Sequence, residues 1–527
     1  MRRFDIGVNL VIPLISLLAV WLVWSIWNKK YKALILPTLA IFAYPLSIEI
    51  CVSMASILAA VGSLYQNNKS LSKFLALVFA FLSGIEALAL FHWLYLVPLG
   101  LTRPFRAVAK FEMGLFYIAA HLAPFLSLPL MYMWLLKHMI ERNWSIRIHL
   151  LISKSKNKIK IPYMALLFFL FTIFISVVAA LYPYNNNVNP QQRVGSDVQD
   201  YITTAKAIET NFTEISTGMS SSRPIVFLFI TGYQRLLGTN TVTAVKLLPL
   251  LLNPLLCVSV AFLTLETFND WWIASWASFF TICGYHVSVG LYAFFLSNML
   301  GLCFSFFSLG FLFRALRNEH NVSLLVAGLL GALLCFTHPW TFDQHVFPVI
   351  AIGGFLWYLV IKYKYNYRKV KMILYYLMII GLAELLKSKV WGGYGGIKAS
   401  VKATNYFVGL SDFWRNNIFT FRILFGGLLS VIVLLFLAIL GIYLLGHYSI
   451  PRLYFTILLI ASSLVYLIGD STIKSRLLYN MPIGLFAAYG LNWILKQKII
   501  DDYKHVFASF VVLNLVVYLF RSLANIV

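Results

Sequence analysis

The chain has 527 residues, of which 61% are hydrophobic and only 11% are charged, and its formal net charge is +24. Soluble domains carry roughly 25% charged residues, whereas this sequence repeats apolar runs of the ~17–25 residues that cross a bilayer, so we predict an all-α, polytopic transmembrane helical bundle in the cell membrane. Lysines and arginines lie in short clusters between those runs, as in cytoplasmic loops, which excludes nucleic acid as a partner and leaves membrane lipids.

Four candidate spanning helices open the chain. The first is too long for the core of a signal peptide, and no small-residue cleavage site follows it, so we expect it to be retained. The basic stretch "RNWSIRIHLLISKSKNKIK" contains no acid and is expected in the cytoplasm. We therefore predict an N-terminal bundle of unknown role at 1–137, a basic cytoplasmic linker at 138–160 and a second membrane domain at 161–527. The four candidate spans are 7–27, 34–62, 74–100 and 115–137.

Further candidate spans follow the linker and bring the expected total to about 15. The apolar part of "RPIVFLFITGYQRLLG" is too short to span, so we predict that it lies at the outer interface. With this stretch excluded, "FRALRNEH" and "KYKYNYRKVK" fall in the cytoplasm, and the loops at 182–242, 388–420 and 470–474 face outside. These candidate spans are 161–181, 243–266, 271–290, 291–313, 322–338, 341–362, 371–387, 421–446, 451–469, 475–496 and 505–522.

The first outer loop contains the acidic stretch "GSDVQDYITTAKAIETNF". Its "SDVQ" predicts a capping box between Ser196 and Gln199 at a helix start. Asp197 then lies in the first turn, where the helix dipole favours a negative charge. Asp197, Asp200 and Tyr201 stand at i, i+3 and i+4, so we expect them to share one side of the helix.

A separate apolar stripe on this helix consists of Val198, Ile202, Ala205 and Ile208. The stripe predicts an amphipathic helix lying on the membrane surface. The alternative is a solvated interfacial helix whose acids are incidental. At the end of the stretch, Asn211 opens the sequon "NFT". Of the sequons in the chain only this one falls on the predicted outer face, where glycosylation and a chance match both stay open.

The order of these segments resembles the GT-C superfamily of integral-membrane glycosyltransferases, which includes protein O-mannosyltransferases and aminoarabinose transferases. In that superfamily the first outer loop carries an acidic motif, often Asp followed by Tyr or His, which corresponds here to Asp197, Asp200 and Tyr201. A short helix opened by proline follows, and it matches Arg223-Pro224 onward. A late outer-face arginine before "R-L-L-x-x-x-P" matches Arg476.

The resemblance covers about 160–525 and is one of order and spacing. It implies a GT-C-like catalytic core with interfacial helices in the first outer loop. The sequence lacks the adjacent Asp-Glu pair common in mannosyltransferases. It also lacks the WWDYG-type soluble domain of oligosaccharyltransferases, so transfer of whole oligosaccharides to protein asparagine is not expected.

The resemblance implies an inverting transfer of a sugar from a polyprenyl (dolichyl-type) phosphate to an acceptor at the extracytoplasmic face. A carboxylate can take the proton of the incoming hydroxyl, and we assign this role to Asp197, with Asp200 as its helper or as a metal ligand. An arginine fork suits the departing phosphate, which we assign to Arg476 and His338. Asp470 is a candidate partner of Arg476. The alternatives are a solvated helix face for Asp200 and interfacial anchors for Arg476 and His338.

Tyr201 and Arg223 are further candidate contacts of the acceptor or of a lid. The glycine-containing loop "VWGGYGGIKASVKATNYFVGLSDFW" resembles such a lid and supplies Lys398 and Lys402. A divalent cation, Mg²⁺ or Mn²⁺, is conceivable at Asp197 and Asp200, but two aspartates give too few ligands to decide. The acceptor can be a protein, a glycan or a lipid.

Two other functions stay open. A transporter or flippase for a lipid-linked or small solute would place its acids at the bilayer midplane, inside broken helices. A non-catalytic subunit of a redox complex could hold haem between His92 and His121. Glu49 and Glu86 lie within candidate spans, where an ionisable group indicates function by default.

Overall fold

The computed structural model describes residues 68–101, 162–185, 194–364, 366–390, 404–409, 413–424, 431–445, 449–497 and 500–524. Within these ranges the regular structure is helical, apart from an isolated antiparallel bridge between Phe407 and Gly469. The predicted all-α class is therefore confirmed for the described residues. The predicted spans at 7–27, 34–62 and 115–137 and the linker at 138–160 lie outside them.

We number the described α-helices in chain order. The first group is α1 Asn68–Phe91, α2 Tyr163–Asn185, α3 Val198–Thr210, α4 Gly218–Ser222, α5 Pro224–Leu237, α6 Thr241–Leu247, α7 Pro249–Phe268, α8 Trp271–Ile282, α9 Tyr285–Ala293 and α10 Leu296–Asn318. The second group is α11 Asn321–Thr337, α12 Pro339–Tyr363, α13 Tyr367–Leu385, α14 Phe413–Leu424, α15 Ile432–Leu444, α16 Ile450–Ile468, α17 Ser471–Tyr479, α18 Ile483–Leu495 and α19 Lys504–Ala524.

In the described part of the chain, 7 helical segments are long and apolar enough to cross a membrane. Each overlaps a span predicted from the sequence, and together they make the protein a multi-pass membrane protein. The larger total of about 15 is not reached among the described residues. The segments are Leu75–Leu96, Tyr163–Tyr184, Thr241–Phe268, Leu296–Asn318, Pro339–Lys362, Ile450–Ile468 and Lys504–Ala524.

Two predicted spans, 271–290 and 475–496, are wrong because each is a pair of short helices. The first breaks between α8 and α9 at Gly284, where a side chain would collide with the Phe280 carbonyl. The second breaks between α17 and α18 at Pro482, which has no N–H to continue the helical ladder.

The two breaks pack together. The hydroxyl of Tyr285 donates to the Leu478 carbonyl at 2.6 Å, and the hydroxyl of Tyr479 donates to the His286 carbonyl at 3.0 Å. Each break thus donates a tyrosine hydroxyl to a backbone carbonyl of the other, and these two hydrogen bonds hold the breaks together.

Three more predicted spans, 322–338, 371–387 and 421–446, correspond to α11, α13 and the described helix α15. These helices have 17, 19 and 13 residues. At about 1.5 Å per residue, α11 is about 26 Å long and falls short of the ~30 Å hydrocarbon core. None of the three is among the segments long and apolar enough to cross a membrane alone.

The described residues fall into two compact units. The first contains α1 and α19, which pack side by side. Phe79 of α1 contacts the rings of Tyr503, Phe507 and Phe510. Deeper along the pair, the buried Glu86 accepts a hydrogen bond from Asn514 Nδ2 at 2.8 Å. The predicted domain limits at 137 and 160 stay predictions.

The second unit contains the helices from α2 to α17. Its centre is α10, which packs along α7 on one side and α11 on the other. At the end of α10, Arg314 and Arg317 bind Glu266 of α7. Next to them, Arg368 at the start of α13 pairs with Glu319 at 3.1 Å. This end of the unit, which we call the basic end, lies opposite the starts of α10 and α12.

Candidate active site

Asp197 lies at the start of α3, on a tight turn against the end of α9. Gly195 has φ +96°, and a Cβ there would lie 2.7 Å from that of Phe294, so the approach requires glycine. The hydroxyl of Ser196 donates to Asp197 Oδ1 at 2.9 Å and is also 3.0 Å from the Ala293 carbonyl. Asp197 is half-buried, and its carboxylate stays accessible beside this turn.

The predicted capping box is wrong. The N-cap residue is Asp197, and no side chain caps the helix start. The Ser196 hydroxyl is occupied by Asp197 and the α9 carbonyl, while Gln199 Nε2 donates to Thr203 Oγ1 at 2.9 Å. The tertiary contact with α9 replaces the local one that the sequence suggests.

The apolar stripe of α3 is buried against protein, so the prediction that it lies on the membrane is wrong. Val198, Ile202, Ala205 and Ile208 are all at most 5% exposed, and α3 packs on α5 and α6. Tyr201 belongs to the same buried face at 1% exposure, whereas Asp200 is exposed. Asp200 and Tyr201 therefore do not share a side.

Tyr201 and Arg223 meet at Ser297, near the start of α10. The Tyr201 hydroxyl donates to Ser297 Oγ at 2.9 Å and accepts from the Ser297 backbone N–H at 3.2 Å. Arg223 Nη1 donates to the same Oγ at 3.0 Å. Arg223 is also the N-cap residue of α5, whose first residue is proline, as predicted for a short helix opened by Arg223-Pro224.

A polar chain continues from Ser297 through its neighbour Asn298. Asn298 Nδ2 donates to Asn480 Oδ1 at 3.3 Å, and Thr341 Oγ1 donates to the same oxygen at 3.3 Å. Thr341 in turn contacts His338. The chain joins the start of α10 to the start of α12 and the end of α17, so it connects Tyr201 and Arg223 with His338.

His338 joins α11 to α12 and is 3% exposed. Its Nδ1 accepts from the Thr341 backbone N–H at 3.2 Å, which caps α12. Because that nitrogen accepts, the neutral ring carries its proton on Nε2. Burial, and then the charges of Arg223, Arg476 and Lys387, hold the pKa of His338 well below its ordinary value. His338 is therefore a neutral donor among cations.

Arg476 lies on α17 with its guanidinium over two rings, 4.7 Å from the centroid of Trp340 and 5.8 Å from that of Tyr406. It forms no hydrogen bond or ion pair through its side chain with the described residues. Asp470 does not pair with it, so that candidate pairing is wrong. Asp470 Oδ1 instead accepts from the backbone N–H groups of Thr472 and Ile473 and caps α17.

Arg476 borders a cavity of about 400 Å³ between α12, α16 and α17. Most of its wall is apolar and includes Phe347, Leu458 and Val465. Phe347 is 59% exposed on a spanning helix, so the cavity opens at the lipid-facing side of α12. We call this cavity the lipid groove, and its polar lining includes Arg476, Asn480 and the carboxylate of Asp343.

Part of the predicted lid loop covers the groove near Arg476. The Asp470 N–H donates to the Tyr406 carbonyl at 2.8 Å, and the Val408 N–H donates to the Ile468 carbonyl at 2.9 Å. Phe407 lines the groove. Residues 404–409 are thus held against the start of α17. Lys398 and Lys402 lie outside the described residues, and their contact roles stay predictions.

Four polar residues that were not predicted from the sequence join the predicted ones. Ser297, Asn298 and Asn480 form the chain described above. Lys387 is fully buried, and its Nζ donates a hydrogen bond to the Cys335 carbonyl. A usable signal existed, since polar side chains inside apolar runs are costly and mark function. The described residues contain no group of three or more His, Cys, Asp or Glu that could hold an ion, and the divalent cation at Asp197 and Asp200 stays a prediction.

No family model matches the sequence, and no curated protein matches it. A crystal structure of the Archaeoglobus fulgidus oligosaccharyltransferase, tethered with an acceptor peptide containing the NVT sequon, is similar with a TM-score of 0.47 and 14% identity. The match covers 68% of this chain and 55% of the archaeal enzyme's chain.

A second crystal structure, of the same archaeal enzyme in complex with Zn and sulfate, gives a TM-score of 0.45 and 14% identity over 67% of this chain and 52% of that one. The chain thus spans about half the length of the solved protein that it resembles. A likeness at these TM-scores establishes neither the fold nor the activity of this chain, and membership of the GT-C superfamily stays a prediction.

Proposed function

We propose that the protein is a glycosyltransferase that moves a sugar from a polyprenyl phosphate of the dolichyl type to a hydroxyl of an acceptor, at the extracytoplasmic face and with inversion. The observation that carries the proposal is the lipid groove, an apolar cavity on the bilayer side that ends at an unpaired arginine among the described residues. A ligand with a long apolar chain and an anionic head is complementary to this arrangement.

The groove extends about 10 Å along two of its helices. Trp340 and Phe347 stand two turns apart on α12, which is about 10 Å along the helix axis. Leu458 and Val465 are spaced likewise on α16. The groove therefore runs from the interface into the hydrocarbon region, where prenyl units replace lipid tails without exposing apolar surface to water.

The polar lining around Arg476 suits a phosphate. Arg476 is held flat by Trp340 and Tyr406, which leaves its fork of N–H groups free for two phosphate oxygens. His338 Nε2–H makes no hydrogen bond to the described residues and adds a neutral donor. Because these groups favour the anion that forms as the sugar departs, they stabilise the transition state more than the bound donor.

In the proposed reaction, Asp197 takes the proton of the acceptor hydroxyl. The hydroxyl oxygen forms a bond to the anomeric carbon as the bond from that carbon to the phosphate oxygen breaks, and the phosphate keeps the electron pair. Attack opposite the leaving group inverts the anomeric centre. Tyr201, Ser297 and Arg223 fix the platform on which α3 presents Asp197. No step of this reaction is assigned to a divalent cation.

The orientation follows from charge. The basic end of the second unit contains Arg314, Arg317 and Arg368, and its cations exceed its acids Glu266 and Glu319. Helix α10, with 23 residues or about 34 Å, separates that end from Ser297. By the positive-inside rule the basic end is cytoplasmic, and this supports an extracytoplasmic location for the site.

The transporter alternative receives less support. Broken helices do occur, but Tyr285 and Tyr479 close the breaks against each other. The described segments 282–286 and 478–483 contain no acid, although transporters use such breaks to hold substrates and ions. For the redox alternative, His92 is buried in the first unit and His121 lies outside the described residues. A Soret absorption band of purified protein would revive that alternative.

Transfer of a radiolabelled sugar from a polyprenyl phosphate, in membranes that overexpress the chain, tests the proposal. General-base catalysis typically contributes about 100- to 10,000-fold in rate, so Asp197→Asn should lose about that factor while the protein still inserts. Asp200→Asn is the matched control, because Asp200 is the neighbouring exposed carboxylate, and it should lose much less. A wild-type rate in Asp197→Asn would remove Asp197 from the reaction, and no transfer by the wild-type chain across a panel of donors would overturn the proposal.

A further inference from the structure

The exposed turn after α3 contains the sequon of Asn211 and Thr213. Asn211 is the C-cap residue of α3 and has an extended backbone, with φ −143° and ψ 105°. Its Oδ1 accepts from the Thr213 backbone N–H at 3.2 Å and from Thr213 Oγ1 at 2.8 Å. A backbone N–H can only donate, so these bonds identify the amide oxygen and leave Nδ2 directed away from the turn.

We propose that Asn211 is a site of N-linked glycosylation. The two donors on Oδ1 polarise the side-chain amide, and the extended, exposed backbone can enter the groove of a modifying enzyme. Its Nδ2 would form a bond to the anomeric carbon of a glycan carried on a lipid phosphate, as the bond from that carbon to the phosphate oxygen breaks. The phosphate takes the electron pair, and the amide proton passes to a base of the separate oligosaccharide-transferring enzyme.

The sequon of Asn321 provides a contrast within the same chain. It lies in the first turn of α11, at the basic end, where we place the cytoplasm. Ser323 is 5% exposed, and both its hydroxyl and its backbone N–H contact His320 Nδ1. Asn321 therefore has the same motif within a helix, with the serine of the motif hydrogen-bonded and the whole sequon at the basic end.

The proposed glycan would lie away from the reaction site. Helix α3 has 13 residues, so Asn211 is about 20 Å along the axis from Asp197. The exposed face of α3 between them consists of polar residues such as Thr203 and Lys206. The inference goes beyond the glycosyl transfer proposed above and shares with it only the orientation of the membrane domain.

The test is expression of the full chain in eukaryotic cells that carry out N-glycosylation, with digestion by an N-glycosidase and mass spectrometry of the peptide that contains Asn211. We expect one glycosidase-sensitive increase in mass, absent in Asn211→Gln and in Thr213→Ala and unchanged in Asn321→Gln. Thr213→Ser keeps the hydroxyl and should retain modification. A host glycoprotein in the same membranes serves as the positive control.

The outcomes separate the two proposals. An unmodified Asn211 with every sequon unmodified overturns the glycosylation and leaves the transfer assay as the test of function. Modification of Asn321 in place of Asn211 overturns both the glycosylation and the orientation. A shift that persists in Asn211→Gln assigns the glycan elsewhere and overturns the inference.

Discussion

Arg476 and His338 present donors to the same region in different ways. Arg476 is a charged fork stacked on Trp340 and Tyr406, and it contributes through charge and planar geometry. His338 is neutral, because Nδ1 must accept from the Thr341 backbone, and it contributes one directed N–H. Gly301 of α10 makes room for it, since a Cβ there would lie 3.1 Å from the Cβ of His338.

The two roles of His338, cap and donor, can be separated by a pair of variants. His338→Asn keeps an acceptor for the Thr341 N–H but its shorter side chain should not reach the phosphate. His338→Ala loses both, and a lost cap costs about 1 kcal/mol of stability. We expect both variants to weaken donor use by about 10- to 150-fold, since a hydrogen bond to a charged group contributes about 1.5–3 kcal/mol. Only His338→Ala should also lower the thermal stability.

The pH dependence of His338 gives a check on this assignment. Its pKa is lowered in the folded protein, so the unfolded chain takes up a proton that the folded chain does not. The contribution of His338 to the free energy of unfolding is therefore fully present above about pH 6.5, the pKa of histidine in the unfolded chain. It is lost as the pH falls below that value. Donor binding should show no inflection from His338 near pH 6.5. An inflection there that disappears in His338→Asn would contradict the neutral assignment.

At the scale of elements, α3 buries its apolar stripe against protein rather than in a bilayer surface. The sequence predicts the presence of α3 and the proline start of α5, because local spacing and Pro224 indicate them. It does not predict what covers them. An apolar stripe can be buried equally well in lipid or against protein. Only the tertiary contact of α3 with α5 and α6 determines that protein covers this one.

Helix α5 also decides the topology. Its 14 residues span about 21 Å, less than the ~30 Å hydrocarbon core, so both of its ends should face outside. Single cysteines at the exposed positions Ser216 and Asn240 should both react with an impermeant thiol reagent on intact cells. A cysteine at Lys371, at the basic end, is the matched control and should react only after permeabilisation. Reaction of the Asn240 variant only after permeabilisation would show that α5 spans.

The broken helices show where element-scale reasoning from sequence stops. Both predicted spans, 271–290 and 475–496, have the hydropathy of one continuous helix. The local signals are Gly284 and Pro482, and each is compatible with a helix that merely kinks. The breaks pack together through tertiary contacts that the sequence does not show. These are the hydrogen bonds of Tyr285 and Tyr479, which lie far apart in sequence.

At the scale of the whole molecule, hydropathy predicts each of the 7 described segments that can cross a membrane, since it reflects the cost of burying polar groups in lipid. The orientation, which rests on charge, stays a prediction. The site is predicted only in part. Arg223 and Tyr201 do meet, but through Ser297, which no local pattern marks. Asn480 connects that platform to His338 through side-chain bonds. Contacts between residues this distant in sequence cannot be inferred from one chain without its structure.

In the described part of the molecule, hydrogen bonds through the start of α10 connect two regions, the platform of α3 and the lipid groove. The proposed donor rests on the lipid groove, so the groove is the claim on which the account depends. If the groove holds a prenyl chain and Arg476 holds its phosphate, the phosphate should add to the binding affinity through Arg476. The prenyl tail should add to the affinity whether or not Arg476 is present. A neutral prenol of the same chain length separates the two contributions.

The most direct measurement is the affinity of the purified protein for a short-chain prenyl phosphate and for the matching prenol. Hydrogen bonds to a charged group contribute about 1.5–3 kcal/mol, so the phosphate should bind about 10- to 150-fold more tightly than the prenol. Arg476→Ala should lose most of that preference, with the remainder carried by His338, and keep its affinity for the prenol. Arg476→Lys should recover only part of the loss, since a point charge does not replace a planar fork. Equal affinity of the wild-type protein for both ligands, or an undiminished preference in Arg476→Ala, would contradict the account.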